Sequence, residues 1–224
     1  MKHSYTLEAS LYTPATLPAD LRLQYGHLRY QCFEEDDPNL NMDRINKVEF
    51  DHFDHAPDTR YILVTQKHPD FSPPTLVSAV RLIPTTGHYE LEMDSYRYLT
   101  QGVALPKSPL IWEGNRWVGK SSHTALGKLS TGLLLLKLFQ LSQQFGFNQL
   151  IGTITTKGEA WLGKRNASLQ RNSDIYTVER ENIDILISLI DINADLLRTA
   201  KTLLMDSIDT FAIANIALET REAA

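Results

Sequence analysis

The chain has 224 residues with 27 acidic and 22 basic side chains, a formal charge of −5 that argues against general nucleic-acid binding. Hydrophobic residues at 42 % and charged residues at 22 % exclude a disordered chain and fit one globular domain with a sizeable core. The single cysteine excludes an intrachain disulfide framework and suits a reducing compartment.

In chain order, residues 5–12 read as a first strand. Pro18-Ala19-Asp20 opens a helix in which Leu21, Leu28, Cys32 and Phe33 share a face, so Cys32 reads as a packed thiol. Arg29 stands one turn before Phe33, and both look toward the same pocket mouth. Residues 34–58 are irregular, with a short helix expected over 42–48, and nine of the 27 acids fall here. A loop this long inside a compact domain is more often functional than decorative.

That segment contains Glu49-Phe50-Asp51-His52-Phe53-Asp54, an acidic box of three carboxylates set among aromatic and histidine rings. Charges this dense beside an apolar strand need a cationic partner, from the protein or from a ligand. Strands are expected over 60–66 and 76–83, around a turn holding Pro69, Pro73 and Pro74. Alternation in the second puts Arg81 on the face of Val77, Ala79 and Ile83. A guanidinium there requires a carboxylate, and the box is the nearest in sequence.

Residues 84–109 break into a loop with Tyr89, Met93, Tyr96, Tyr98 and Leu99, either a surface excursion or the cover of a pocket. In the strand at 111–118, strict alternation sends Glu113 and Arg116 to opposite faces. Gly114 lies between them, and an extra residue at 114–115 would bring both to one face and free backbone N–H groups, so a bulge is predicted there. A helix over 123–146 carries two leucine stripes and packs centrally, ending at Gly146. A buried strand at 150–155, a short helix at 157–166, an antiparallel pair at 174–179 and 183–190, and an amphipathic helix at 194–218 complete the chain. The mixed order predicts an α/β (α+β) three-layer sandwich around one central, mixed, twisted sheet. The expected organisation is one domain over 1–224, with 192–224 a C-terminal helical extension.

Met1-Lys2-His3-Ser4-Tyr5 carries no apolar run behind a basic start, and Leu133 to Phe139 is broken by Lys137. Neither a signal peptide nor a membrane span is expected, and the expected location is the cytoplasm.

Taken together, the motifs resemble the acyl-homoserine-lactone (autoinducer) synthases, a family of Gcn5-type N-acetyltransferase architecture. The resemblance runs from about Leu28 to Thr156. It rests on Arg29 with Phe33, E-F-D-x-F-D at 49–54, R-L-I-P-T-T at 81–86 and S-P-x-x-W-E-x-x-R at 108–116. It implies an acyltransferase that joins an acyl chain, carried on acyl carrier protein or on coenzyme A, to S-adenosylmethionine, and releases methylthioadenosine. By resemblance Glu113, Asp54 and Arg116 are catalytic, and Arg29, Phe33, Asp51 and Arg81 bind substrate. S-adenosylmethionine is a substrate rather than a cofactor, and no metal is implied. Three departures stand out: the family's loop tryptophan has no counterpart between Glu34 and Val48, and Asn115 and Trp117 replace a serine and a phenylalanine.

The chemistry of these residue types agrees with that reaction. Asp51 and Asp54 suit the cationic end of the substrate, and Phe33 or Phe50 offers a ring face to the sulfonium. Arg29 or Arg116 suits the substrate carboxylate as a bidentate fork, and Glu113 is the candidate base for the amine. Like-charge crowding is expected to raise at least one carboxylate pKa in the box. The acyl tail is expected between the central helix and the strand at 150–155, where Thr153 and Thr155 are placed to bond a 3-oxo group. Strand formation alone also explains those threonines. Lys157, Lys164, Arg165 and Arg171, with Lys120 and Lys128, form an expected patch for an acidic carrier.

Three other readings compete. A coenzyme A-dependent N-acyltransferase of the same architecture would hold pyrophosphate on an R/Q-x-x-G-x-G/A loop, whereas this junction reads Val118-Gly119-Lys120-Ser121-Ser122-His123. A metal site would draw on His52 and His55 with Asp51 and Asp54, without a second histidine group. A catalytically inactive ligand-binding homologue is the third.

Overall fold

The computed structural model describes residues 6–33, 42–67, 72–119, 124–178, 182–208 and 216–217. In chain order these form β1 (Thr6–Tyr12), α1 (Ala19–Phe33), β2 (Met42–Asp43), β3 (Val48–Glu49), β4 (Arg60–Lys67) and β5 (Thr75–Pro84). Next come α2 (Arg97–Thr100), β6 (Ile111–Gly119), α3 (Ala125–Phe145), β7 (Gln149–Thr155), α4 (Thr156–Gly163) and β8 (Leu169–Arg171). The chain closes with β9 (Tyr176–Val178), β10 (Ile183–Asp191), α5 (Ala194–Ile208) and β11 (Ile216–Ala217). Single turns of 3-10 helix lie at His52–His55, Glu90–Glu92 and Asp94–Tyr96.

One large sheet runs β11-β1-β4-β5-β6-β7-β10-β8, with β9 also on β10. Its pairings are antiparallel except β1 with β11 and β6 with β7. The period-2 alternation of β4 sorts its side chains to two cores. Ile62 and Val64 join the core under α3 and α5, and Tyr61 and Leu63 join the core under α1. The first core includes Leu133, Leu134 and Leu138 of α3 with Leu196, Ala200 and Leu203 of α5. The architecture is thus the expected sandwich of a mixed, mostly antiparallel sheet between helices. The two leucine stripes of α3 explain its burial between sheet and α5. Its start is capped by the Thr124 hydroxyl, 3.0 Å from the Gly127 N–H, and its end by Gly146 at φ 76°.

Several local expectations are corrected. The helix expected over 42–48 is the β2–β3 hairpin, because the Asp43 carboxylate accepts the Ile45 and Asn46 N–H groups and Lys47 takes φ 53°. In α1 the buried line is Leu21, Tyr25 and Arg29, and Cys32 is exposed rather than packed, because the helix turns its polar end to the acidic box. Val77 faces away from Arg81: the β4–β5 register shifts there, with Val64 opposite Ser78 and Thr65 opposite Leu76. The last helix ends at Ile208 rather than 218, and Ile216–Ala217 pairs with β1 as a strand. The stretch 209–215, including the expected contact Phe211, lies outside the described residues. The segment 84–109 covers the sheet: Tyr89, Leu91 and Leu99 pack on Ile83, Ile151 and Ile187.

The predicted bulge exists, displaced by about two residues. Ala79 opposes Val118 and Arg81 opposes Asn115, so the extra residue lies at 116–117, and Arg116 takes φ 50°. That left-handed conformation costs a non-glycine residue about 1–2 kcal/mol. The Tyr25 hydroxyl anchors it, donating to the Arg116 carbonyl at 2.9 Å. Gly114 itself is regular and faces Leu82 on β5; its missing Cβ admits Leu150, whose Cδ1 such a Cβ would approach to 3.1 Å.

Pairing of β6 with β7 stops at Glu113 and Ile151, and the two strands part beyond that point. Gly152 sits at the parting, where an added Cβ would run into the Gly114 carbonyl oxygen. The obstacle is backbone, so no rotamer change relieves it. Gly152→Ala is expected to lower stability by about 1–3 kcal/mol in urea denaturation, and an unchanged midpoint would refute this close approach.

Candidate active site

The acidic box folds as a capping device. Asp51 precedes the turn His52–His55, its Oδ1 accepts the Phe53 N–H at 2.9 Å, and the Asp51 N–H donates to Asp54 Oδ2 at 2.8 Å. The spacing of the two aspartates therefore has a local structural cause as well as an electrostatic use. Phe50 lies against α1 where Gly26 leaves room, since a Cβ there would sit 2.5 Å from the ring. Glu49 and Asp51 flank that ring and reach inward.

Inside, three guanidiniums meet four carboxylates. Arg29 bonds Glu49 through Nε and both Asp54 oxygens through one Nη, at 2.8 and 2.9 Å. Arg81 holds Asp51 in a fork at 2.6 and 2.8 Å, reaches Glu90 at 2.7 Å, and donates from Nε to the Asn115 side-chain oxygen at 2.8 Å. Arg116 bonds Glu49 at 3.3 Å and pairs with Glu90, whose Oε1 also accepts the Tyr96 hydroxyl at 2.5 Å. Formally, three positive charges face four negative ones, so the cluster carries one surplus negative charge.

These pairings set the protonation states. Burial works against the Asp51 and Asp54 charges, but Arg81 holds Asp51 below the ordinary range, and Arg29 with Arg81 holds Asp54 well below it. Burial also opposes ionised Glu90, and Arg116 and Arg81 outweigh it. The raised carboxylate therefore lies outside the box, contrary to expectation. Glu113 is pushed up to about 8, first by burial and then by the neighbouring Glu90 charge, although the N–H groups of Glu90 and Leu91 bond its carboxylate at 2.9 and 2.8 Å. The Asn115 amide adds a third donor at 2.8 Å.

A cavity of about 320 Å³ opens beside this cluster, lined by Phe33, Glu90, Tyr96, Glu113, Asn115, Arg116 and Trp117, with Thr153 and Thr155 of β7. On the far side of the parting, an apolar cavity of about 530 Å³ runs between α3, β7 and α4, lined by Leu135, Leu138, Leu150, Trp161, Leu162 and Leu196. Gly114, Trp117, Thr153 and Ile154 border both cavities. Both volumes fall in the range of small-molecule sites.

Of the residues expected at the site, Phe33, Glu113, Arg116, Thr153 and Thr155 line the smaller cavity. Arg29, Asp51, Asp54 and Arg81 form the wall behind it. Asp54 has no face on the cavity and also accepts the Tyr61 hydroxyl at 3.0 Å. Phe33 stacks on Arg116, 5.6 Å from ring centre to guanidinium. The Thr155 hydroxyl is committed to capping α4 through the Gly158 N–H at 3.0 Å. Neither Arg29 nor Arg116 offers an open fork: Arg29 is sealed from solvent and Arg116 is occupied by Glu90. Of the basic side chains, Arg171 is paired with Glu159 at 2.7 Å, Arg165 stacks on Trp161 at 4.0 Å, and Lys157 lines the apolar cavity. Lys120 and the loop Glu34–Asn41 lie outside the described residues.

Sequence reasoning missed Glu90, Tyr96 and Asn115 as site residues, and left Glu49 without a role. Asn115 was findable by alternation from Glu113. Glu90 and Tyr96 lie in an aperiodic loop, where neither period nor charge pattern points to them. His55 bonds Arg22 at 3.3 Å and the His52 ring lies tilted against Phe53, 4.0 Å between centres, and the described residues contain no cluster of three or more metal-ligating side chains.

No family model matches the sequence, and a search of curated proteins finds no similar sequence. The fold does match solved structures. The acyl-homoserine-lactone synthase LasI superposes with a TM-score of 0.70 at 19 % identity, over 98 % of this chain and 100 % of LasI. BjaI, a CoA-dependent acyl-homoserine lactone synthase solved with SAM and isopentyl-CoA, gives 0.68 at 19 % identity, over 99 % of this chain and 96 % of BjaI. An acyl-CoA N-acyltransferase from Pseudomonas aeruginosa gives 0.53 at 15 % identity, over 82 % of this chain and 99 % of that one. The chain therefore shares the fold of these acyl-homoserine-lactone synthases and, less closely, that of the N-acyltransferase. Among the described residues, no helix is long and apolar enough to cross a membrane.

The raised Glu113 pKa makes stability depend on pH. Between the ordinary value of 4.5 and about 8, the folded chain keeps a proton that the unfolded chain has released. This contribution is full below 4.5 and is lost as pH rises through about 8. Paired urea denaturations should show wild type losing stability relative to Glu113→Gln from about pH 5 upward and levelling off above about pH 8. A pH-independent difference would refute the raised pKa.

Proposed function

We propose that the chain is an acyl-homoserine-lactone synthase, transferring an acyl group from acyl carrier protein to the amine of S-adenosylmethionine and then closing the lactone. The observation that carries this reading is Glu113, a buried carboxylate with its pKa near 8, at the floor of a cavity that adjoins an apolar one across the β6–β7 parting. A base with that pKa accepts a proton from an alkylammonium near neutral pH without a large mismatch.

In this reading Glu113 takes the proton from the acceptor ammonium, and the freed amine attacks the thioester carbonyl. Main-chain N–H groups of β6 beyond Glu113, where β7 no longer pairs, receive the oxyanion. Collapse expels the carrier thiol and leaves the amide. The acceptor's own carboxylate oxygen then attacks its γ-carbon, the C–S bond breaks, and methylthioadenosine departs with the sulfonium electron pair. The surplus negative charge of the cluster and the Phe33, Tyr96 and Trp117 rings favour a sulfonium cation in the smaller cavity. The acyl chain takes the apolar one. Arg29, Asp51 and Asp54 act by positioning. The carrier-protein donor is favoured because residues 118–123 lack a pyrophosphate-cradling glycine loop. It would approach Lys157, Lys164 and Arg165, and the enzyme would work in the cytoplasm.

Lipophilic extracts of a host expressing the chain should contain acyl-homoserine lactones by mass spectrometry, with a roughly 10²- to 10⁴-fold loss in Glu113→Gln. The purified enzyme should turn over faster with acyl carrier protein than with acyl-coenzyme A, on a pH limb near 8. Acylation of an ordinary amine without lactone would replace this reading with a coenzyme A-dependent N-acyltransferase, and no product at all with a ligand-binding homologue.

A further inference from the structure

The guanidinium edges in the cluster are nearly all committed to the acidic box. Glu90 shares one Nη of Arg81 with Asp51, at 2.7 Å, and pairs with one Nη of Arg116. Glu90 is 2 % exposed yet lines the acceptor cavity, and Arg116 is the one guanidinium of the three that lines it too. The carboxylate of an α-amino acid entering this cavity would therefore meet a fork already filled by a carboxylate of the protein.

We propose that Glu90 is an internal stand-in for the acceptor's carboxylate, occupying the Arg81–Arg116 fork in the empty enzyme and being displaced from it when an α-amino-acid acceptor binds. This rests on the reading of the acceptor as S-adenosylmethionine and names the residue that sets its affinity. The exchange is charge-neutral, since one carboxylate replaces another, so the arginines stay compensated at every stage. Without Glu90 the edges of Arg81 and Arg116 that it bonds would lose a buried hydrogen-bond acceptor, a costly arrangement. The Glu90 charge is also the largest influence holding both arginines well above their ordinary pKa against burial. Displacement is local: Glu90 begins a single 3-10 turn, Glu90–Glu92, and its Oε1 is held from the other side by Tyr96, in the next such turn.

Glu90→Gln removes the competing charge while keeping shape and a hydrogen-bond acceptor. In calorimetric titrations, Glu90→Gln should bind S-adenosylmethionine roughly tenfold more tightly than wild type, while its affinity for decarboxylated S-adenosylmethionine changes far less. Should Glu90→Gln fail to fold, Tyr96→Phe loosens the same clamp with all charges in place, and should shift the ratio of the two affinities in the same direction. An unchanged ratio, or weaker S-adenosylmethionine binding in a folded variant, overturns the displacement alone. No binding of either compound to wild type or variants overturns the acceptor reading and this inference with it.

Discussion

A buried guanidinium is tolerated only when carboxylates meet it, and three of them stand behind one wall of this protein. Arg29, Arg81 and Arg116 come from a helix and two strands, and four carboxylates from two loops and a hairpin balance their charges. Taking away either side leaves an uncompensated charge in the interior. The cluster therefore welds the acidic box, the β5–β6 pair and the loop after β5 into one rigid unit. Its geometry also imposes the least comfortable backbone in the site, the left-handed Arg116, whose carbonyl Tyr25 holds. Strain at that position is the cost of bringing Glu113 and Arg116 to one cavity.

The second constraint is the place where the sheet stops pairing. Beyond Glu113 and Ile151 the strands β6 and β7 diverge, and two glycines allow close passage at the point of divergence. An ion-lined cavity lies on one side of this opening and an apolar one on the other. A reaction joining a cation to an acyl chain needs such a meeting place, with a carboxylate of matched pKa at the junction. Glu113 gains that pKa because burial and Glu90 outweigh three hydrogen-bond donors.

Much of this was legible in the chain itself. The demand of Arg81 for a carboxylate, the need for a bulge to unite Glu113 and Arg116, and the central burial of the leucine-rich helix all follow from period and charge. The bulge was misplaced because Gly114 attracts that reading, whereas its missing side chain serves the packing of Leu150. The β2–β3 hairpin was hidden because its turn is set by the Asp43 carboxylate and a left-handed Lys47 rather than by glycine. Glu90 was invisible for a deeper reason: its buried charge is met by Arg81 and Arg116 on two neighbouring strands, and nothing in Tyr89-Glu90-Leu91 announces it. The box aspartates were read as ligands for a cation, whereas Asp54 serves the arginines behind the cavity.

The central claim is that this closed ionic lattice leaves a cavity selective for a positively charged acceptor. Its most direct measurement compares the binding of S-adenosylmethionine with that of S-adenosylhomocysteine, which lacks the S-methyl group and carries a neutral sulfur, by calorimetry on the wild-type chain. The account predicts at least about tenfold tighter binding of the sulfonium, little weakened by added salt because the lattice is buried. Equal affinity for the two, or a preference for the neutral compound, would contradict it.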